Sequence, residues 1–198
     1  MTRITTKTSI IAITALMITI GLPSAFAHTS LETYYWNNNA NVCYLETELN
    51  TLRWGPSGGT GAAEPIKQRI GIAVSTYNAY MDSVTLNNND TCSGNRIEFG
   101  AQDLAMTYLA SEFTIFSGNT ITRSDVDYNT DFTFHGDSNQ CIPNYDVEWV
   151  ANHELGHSVG LAHTTHHSPP SSVMTPNCDG VWSTIQSSDA TALDTHYS

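Results

Sequence analysis

Four residues stand at spacings that a hydrolytic metal site could use: His153, Glu154, His157 and His163. On a helix His153 and His157 lie one turn apart, about 40° from each other around the axis, so both imidazoles can reach one ion. Ala151, Leu155 and Val159 then form a row on the other side, facing the core. Gly160 can take the left-handed conformation that ends a helix, which lets His163 swing back towards the same ion. Three neutral imidazoles and a water make an open tetrahedral zinc site with Zn–N of roughly 2.0–2.1 Å. Zinc brings the pKa of such a water to about 7 and polarises a carbonyl. Glu154, beside the pair and not needed as a ligand, is placed to take the water's proton and pass it to a leaving amine. The chemistry implied is amide hydrolysis, with a peptide bond as the natural target.

The ligand pair requires a helix, and the pattern predicts one from about Val147 to Val159, followed by a long irregular segment rich in Ser, Thr and Pro. A second helix is predicted over Glu64–Met81. Pro65 suits its first turn, and Ile66, Ile70, Ala73, Val74 and Tyr77 make one buried face. Val42 to Leu49 has strand-like content. Arg96–Phe99, Leu104–Leu109 and Thr120–Tyr128 are three further strand candidates, the last with Thr122, Ser124, Val126 and Tyr128 as one alternating set. Gly55 to Gly61 reads as a loop within the domain. A final helix is expected from about Ser188 to Tyr197, with Ser187 or Ser188 as its N-cap. No internal repeat divides the chain.

The 198 residues carry a formal charge of −12 and only 13% charged residues, about half the usual ~25%. All 19 acids lie beyond residue 27, which excludes a basic nucleic-acid-binding surface. Residues 1–27 read as an export signal: Arg3 and Lys7 at the start, an apolar run from Ile10 to Leu22, and Ala25-Phe26-Ala27 as a cleavage site. The run is 13 residues long, short of the ~20 needed to span a bilayer. Residues 28–198 are then one exported domain, expected to be a monomer without a membrane segment. Cys43, Cys92, Cys141 and Cys178 are even in number and include no C-x-x-C pair, which argues for two disulfides in an oxidising compartment. Three pairings are open to four cysteines. Cys43–Cys92 with Cys141–Cys178 is the expectation, the second clasping the segment after the histidines.

His153-Glu154-Leu155-Gly156-His157-Ser158-Val159-Gly160-Leu161-Ala162-His163 resembles the long signature of the metzincin zinc endopeptidases, H-E-x-x-H-x-x-G-x-x-H followed by a Met-turn. Ser172-Val173-Met174-Thr175-Pro176 stands where that turn should, with Met174 as the apolar floor beneath the metal. Within the clan the chain is most similar to matrixin catalytic domains: Thr164 is close to their Ser, and Pro176 follows the turn at their spacing. Pro176 also stands where other branches carry a ligating Tyr. Ser188 to Tyr197 resembles the matrixin C-terminal helix, and Thr120 to Asn129 the last strand before the zinc helix. The resemblance makes Leu104–Leu109 the edge strand that pairs with extended substrate. It covers roughly Arg96 to the C-terminus and, more weakly, Glu64–Met81. It departs from the family in three ways. No propeptide with a latency cysteine is recognisable, nor is the histidine-rich loop of a structural zinc. Cys178 stands about where the animal enzymes have a pocket-lining Tyr.

Other residues carry plainer readings. His166 and His167 read as loop residues rather than a second metal site, His135 and Asp137 as a solvated turn, and Trp149 and Tyr197 as core. Asp125, Asp127 and Asp131 could ligate Ca2+ through oxygen, and His135 with Asp137 could belong to a calcium or zinc loop, with the solvated turn as the preferred reading of that pair. The expected fold is α+β: a twisted, mostly parallel five-stranded sheet, two long helices, and a small C-terminal part ending in a helix. The expected function is a secreted zinc endopeptidase, with His153, His157 and His163 as ligands and Glu154 as general base, acting on protein or peptide. Two rivals stand beside it: a catalytically silent zinc-containing binding protein of the same fold, and a metalloenzyme acting on a small amide or on the cell wall. The intact Glu154 argues against the first, since binding alone needs no base.

Overall fold

The structure, a computed structural model, describes residues 10–17 (as backbone), 32–55, 58–89, 92–104, 107–136, 144–164, 172–176 and 184–198. The strands are β1 (Ile10–Met17), β2 (Ala40–Tyr44), β3 (Arg53–Trp54), β4 (Leu86–Asn88), β5 (Arg96–Gln102), β6 (Tyr108–Ser117), β7 (Thr120–Asn129), β8 (Thr133–His135) and β9 (Tyr145–Asp146). The helices are α1 (Glu46–Leu49), α2 (Ala63–Asn78), α3 (Val147–Ser158) and α4 (Ser187–Tyr197).

The main sheet runs β1-β6-β7-β5-β2-β4. β4, β2, β5 and β7 are parallel, while β6 is antiparallel to β7. Five strands in a mostly parallel order are as expected. β1 is a sixth, laid antiparallel along the outer edge of β6 from Ile10 opposite Phe116 to Met17 opposite Tyr108. A second small sheet, β3-β8-β9, is additional to the elements expected. Its strands are two or three residues long, too short for alternation to show.

The period-two reading of β7 holds from Arg123 onward and fails at its start, where Ile121 is fully buried and Thr122 half-buried next to a register shift against β6. Ser124, Val126 and Tyr128 are fully buried, and the next set, from Arg123 to Asp127, is half-buried. The same two-residue period places Ile97 and Phe99 of β5 in the core. On α2, Ile66, Ile70, Ala73, Val74 and Tyr77 form the buried stripe. Burying those five side chains against the sheet and α3 contributes on the order of 1.5–3 kcal/mol for each large one.

Three expected elements move. The strand placed at Leu104–Leu109 is instead β6, because the turn at Gly118 (φ +64) and Asn119 sets a hairpin whose register pairs Ser117 with Thr120 and Ala110 with Tyr128. The strand content of Val42–Leu49 ends at Tyr44, and residues 46–49 make a helical turn in which Leu49 is buried. The N-cap of α4 is Gln186 rather than a serine, because its N–H donates to Asp189 Oδ2 at 3.0 Å and so starts the helix one residue earlier. The Cys43–Cys92 disulfide is present, Cα to Cα 5.3 Å, tying β2 to the segment before β5. Cys141 and Cys178 lie outside the described residues, as does the cleavage site at 25–27.

Candidate metal centre

α3 carries His153 and His157, the expected ligand pair, and every one of its residues is buried. Asp146 caps it, Oδ1 accepting from the N–H of Glu148 at 2.8 Å and of Trp149 at 3.4 Å, which satisfies two donors that a buried helix start would otherwise orphan. Trp36 Nε1 donates to Ser158 O at 2.8 Å, and Tyr197 Oη to Val159 O at 2.9 Å. These two bonds satisfy carbonyls at the other end.

The helix then stops in a Schellman motif. Leu161 N donates to Gly156 O at 2.8 Å and Gly160 N to His157 O at 2.9 Å. Gly160 has φ +88, and a Cβ there would stand 2.5 Å from Tyr34 O. Only glycine fits. The turn sends the chain back so that His163 meets the pair.

The three Nε2 atoms form a triangle: 3.0 Å from His163 to His153, 3.0 Å from His163 to His157, and 3.2 Å between His153 and His157. His153 Nδ1 lies 2.7 Å from Val173 O and His157 Nδ1 2.8 Å from Leu161 O. A carbonyl can only accept, so each Nδ1 carries the proton and each Nε2 presents a bare lone pair. Lone pairs so close repel each other unless a cation sits among them. Tetrahedral coordination at the usual Zn–N length asks for N···N of roughly 3.3 Å, close to the triangle found. The donor set fits a divalent ion of the zinc type.

Electrostatics agree. Burial holds His153 down to about 3, with His163 beside it acting in the same sense against the Val173 carbonyl. Burial and then its two neighbours hold His157 well below the usual imidazole range, and burial also lowers His163. All three are therefore neutral and ready to ligate at neutral pH.

Glu154 follows the first ligand and is fully buried, with neither carboxylate oxygen hydrogen-bonded among the described residues. Burial, and then nearby Glu112, push its carboxyl well above the ordinary range. A desolvated, unpaired carboxylate is poised to accept a proton.

Beneath the triangle lies the turn at 172–176. Met174 is fully buried, and its thioether fills the space beside Gly156 where a side chain would be. Thr164 N donates to Met174 O at 2.9 Å, tying the stretch after His163 to this floor. Sequence reading did not give Asp189 a role here. Its carboxylate accepts from Ser172 Oγ, and at 3.0 Å from Val173 N, while Val173 O receives His153 Nδ1. A carboxylate thus orients the first ligand through one peptide group. The acid in the first turn of α4 could be read as a helix-end charge, but its targets, 16 and 17 residues away, could not.

The other candidates do not assemble. Asp125 is paired with Arg123, and Asp127 accepts from Gln102. With Asp131 they form no common ligand set among the described residues. His135 is buried in β8, with Nε2 3.1 Å from Asn144 O, rather than in a solvated turn. Asp137, His166 and His167 lie outside the described residues. Cys43, Cys92 and Glu98 also converge, but the two sulfurs are joined to each other.

A family model described as Matrixin matches residues 75–198. The chain belongs to the matrixin family and is a zinc metalloendopeptidase. Among solved structures, high choriolytic enzyme 1, a hatching enzyme zinc-protease from Oryzias latipes (medaka fish), superposes with a TM-score of 0.44 at 10% identity, covering 82% of this chain and 94% of that one. No curated protein matches the chain. No helix of the described residues is long and apolar enough to cross a membrane.

Proposed function

We propose that the chain is an exported endopeptidase in which His153, His157 and His163 hold the catalytic zinc and Glu154 is the general base. The observation that carries this reading is the triangle of three Nε2 atoms, those of His153 and His157 bare of protons, beside an unpaired buried carboxylate. When bound, zinc supplies Lewis acidity and an acidified water. Glu154 takes the proton released as water adds to the scissile carbonyl carbon. It returns that proton to the amine nitrogen as the C–N bond breaks, so the carboxylate ends as it began. Met174 and Gly156 keep water and side-chain motion out from under the ligands, and Asp189 keeps His153 in its tautomer through Val173.

Substrate lies extended along the outer edge of β6, adding a strand to the sheet. Support comes from β1, a segment of the chain's own leader that runs antiparallel along that same edge over most of its length. Removal of residues 1–27 as an export signal frees the edge for substrate.

The test is turnover of casein or a peptide library by the mature domain. Activity should vanish with a chelator and return with zinc. E154Q should keep the metal and lose cleavage by a factor of about 10²–10⁴. Retained cleavage in E154Q removes the base assignment. Zinc bound at full occupancy with no cleavage of any peptide by the wild-type domain favours a silent binding protein.

A further inference from the structure

The last carbonyls of a helix have no partner within it and ordinarily meet water or a local turn. At the end of α3 three in a row are taken instead by two segments remote in sequence. Ser158 O accepts from Trp36 Nε1 at 2.8 Å, Val159 O from Tyr197 Oη at 2.9 Å, and Gly160 O from Glu32 N at 2.8 Å. The donors come from the stretch ahead of β2 and from the last turn of α4. Tyr34 O completes the collar, lying where a Cβ on Gly160 would go.

Tyr197 joins the two halves of the collar. Its hydroxyl donates to Val159 O and accepts from Trp36 N at 3.3 Å, so its one proton and one of its lone pairs are both used. Tyr197 and Trp36 are each 1% exposed. Core packing alone needs only the ring, which phenylalanine would supply. Removing the hydroxyl leaves a buried carbonyl and a buried N–H without this partner, and their desolvation is then uncompensated.

The gripped stretch sets two of the three imidazoles. Leu161 O, one residue past the last gripped carbonyl, lies 2.8 Å from His157 Nδ1 and receives its proton. His163 stands two residues further on. Metal–ligand distances tolerate only about 0.2 Å, so a bend displaced by more than that pulls both Nε2 atoms out of the triangle. His153 is oriented from the other side, through Val173 O, and does not depend on the collar.

We propose that Tyr197 is a positioning residue of the metal site: its hydroxyl locks the segment at Trp36 to the bend after α3 and so sets His157 and His163 for the ion. The proposal rests on the three histidines being the ligands.

The experiment compares Y197F with the wild-type protein. A zinc competition titration should show affinity lowered about 10-fold, the low end for groups that orient a ligand. Cobalt(II) loaded in place of zinc should give a visible d–d spectrum changed in intensity or position. I97V, a trim of the core in β5 away from the bend, should leave both unchanged. Wild-type affinity and spectrum in Y197F overturn the proposal, and so does an equal change in I97V, which would make the effect one of general packing. A second measurement needs no variant. Coupling is reciprocal, so zinc must tighten the collar that favours it, and the Glu32 and Trp36 amides of the wild type should exchange with solvent about 10-fold more slowly when zinc is bound. Equal exchange with and without zinc overturns the proposal whether or not Y197F folds. Failure of the ligand assignment itself would show differently, as H163A binding zinc as tightly as the wild type.

Discussion

The thioether of Met174 occupies the space that a side chain on Gly156 would need, so the floor of the metal site and the helix above it are fitted at a position where only hydrogen can stand. A Cβ at 156 would also lie 2.9 Å from Tyr77 Oη. G156A should therefore lower stability by about 1–3 kcal/mol and weaken zinc binding, because Val173 O, which takes the proton of His153 Nδ1, belongs to the same turn as Met174. Thermal melting and a zinc competition titration check both. Unchanged zinc affinity would show that the turn does not transmit its position to His153.

Asp189 offers a sharper test, because it never touches the metal. Its carboxylate receives Ser172 Oγ and two main-chain N–H groups, from Val173 and Gln186. D189N turns an amide donor towards one of those donors. Zinc affinity should drop about 10–100-fold, with fold retained by circular dichroism. Chelator competition measures the drop.

Gly160 combines φ +88 with Tyr34 O where a Cβ would go. G160A should cost about 1–3 kcal/mol from the backbone conformation alone, and it should swing His163 off the triangle. Metal analysis of the purified variant should find zinc well below one per chain. Full occupancy would mean that the bend does not place the third ligand.

The pH dependence of stability reports on Glu112. Burial raises its carboxyl from an ordinary 4.5 to about 8 in the folded protein. Below 4.5 both states hold the proton. As pH rises from 4.5 towards 8 the unfolded chain releases it and the folded one does not, so stability is lost across that window. E112Q has no such loss. The melting temperature of the wild type should fall relative to E112Q as pH is raised from 4.5 to 8, and the gap should be flat on either side. A gap that is constant with pH would show that Glu112 titrates normally.

Replacing both Cys43 and Cys92 opens a loop of sequence separation 49, for which loop-closure entropy predicts a loss of about 4 kcal/mol. Urea unfolding measures it.

What the sequence could disclose was what is local. The His153–His157 spacing is one helical turn, and Gly160 announces the bend by its residue type, so the ligand trio is readable without coordinates. The stripe on α2 and the alternation in β7 are likewise set by neighbours along the chain. The edge strand was misplaced because Leu104–Leu109 and Tyr108–Ser117 are similar in composition, and only the pairing with β7 decides between them. Asp189 is hidden for a related reason: it gets its role from Ser172 and Val173, partners brought close by folding.

α3 presents no residue to solvent, whereas His163, beyond the bend, is partly exposed. Two ligands are thus fixed as firmly as the core itself, and the third hangs on a short arm at the surface. If these histidines hold the ion, opening that one bend, at a lower free-energy cost than melting the domain, would be enough to release it while the interior stays closed.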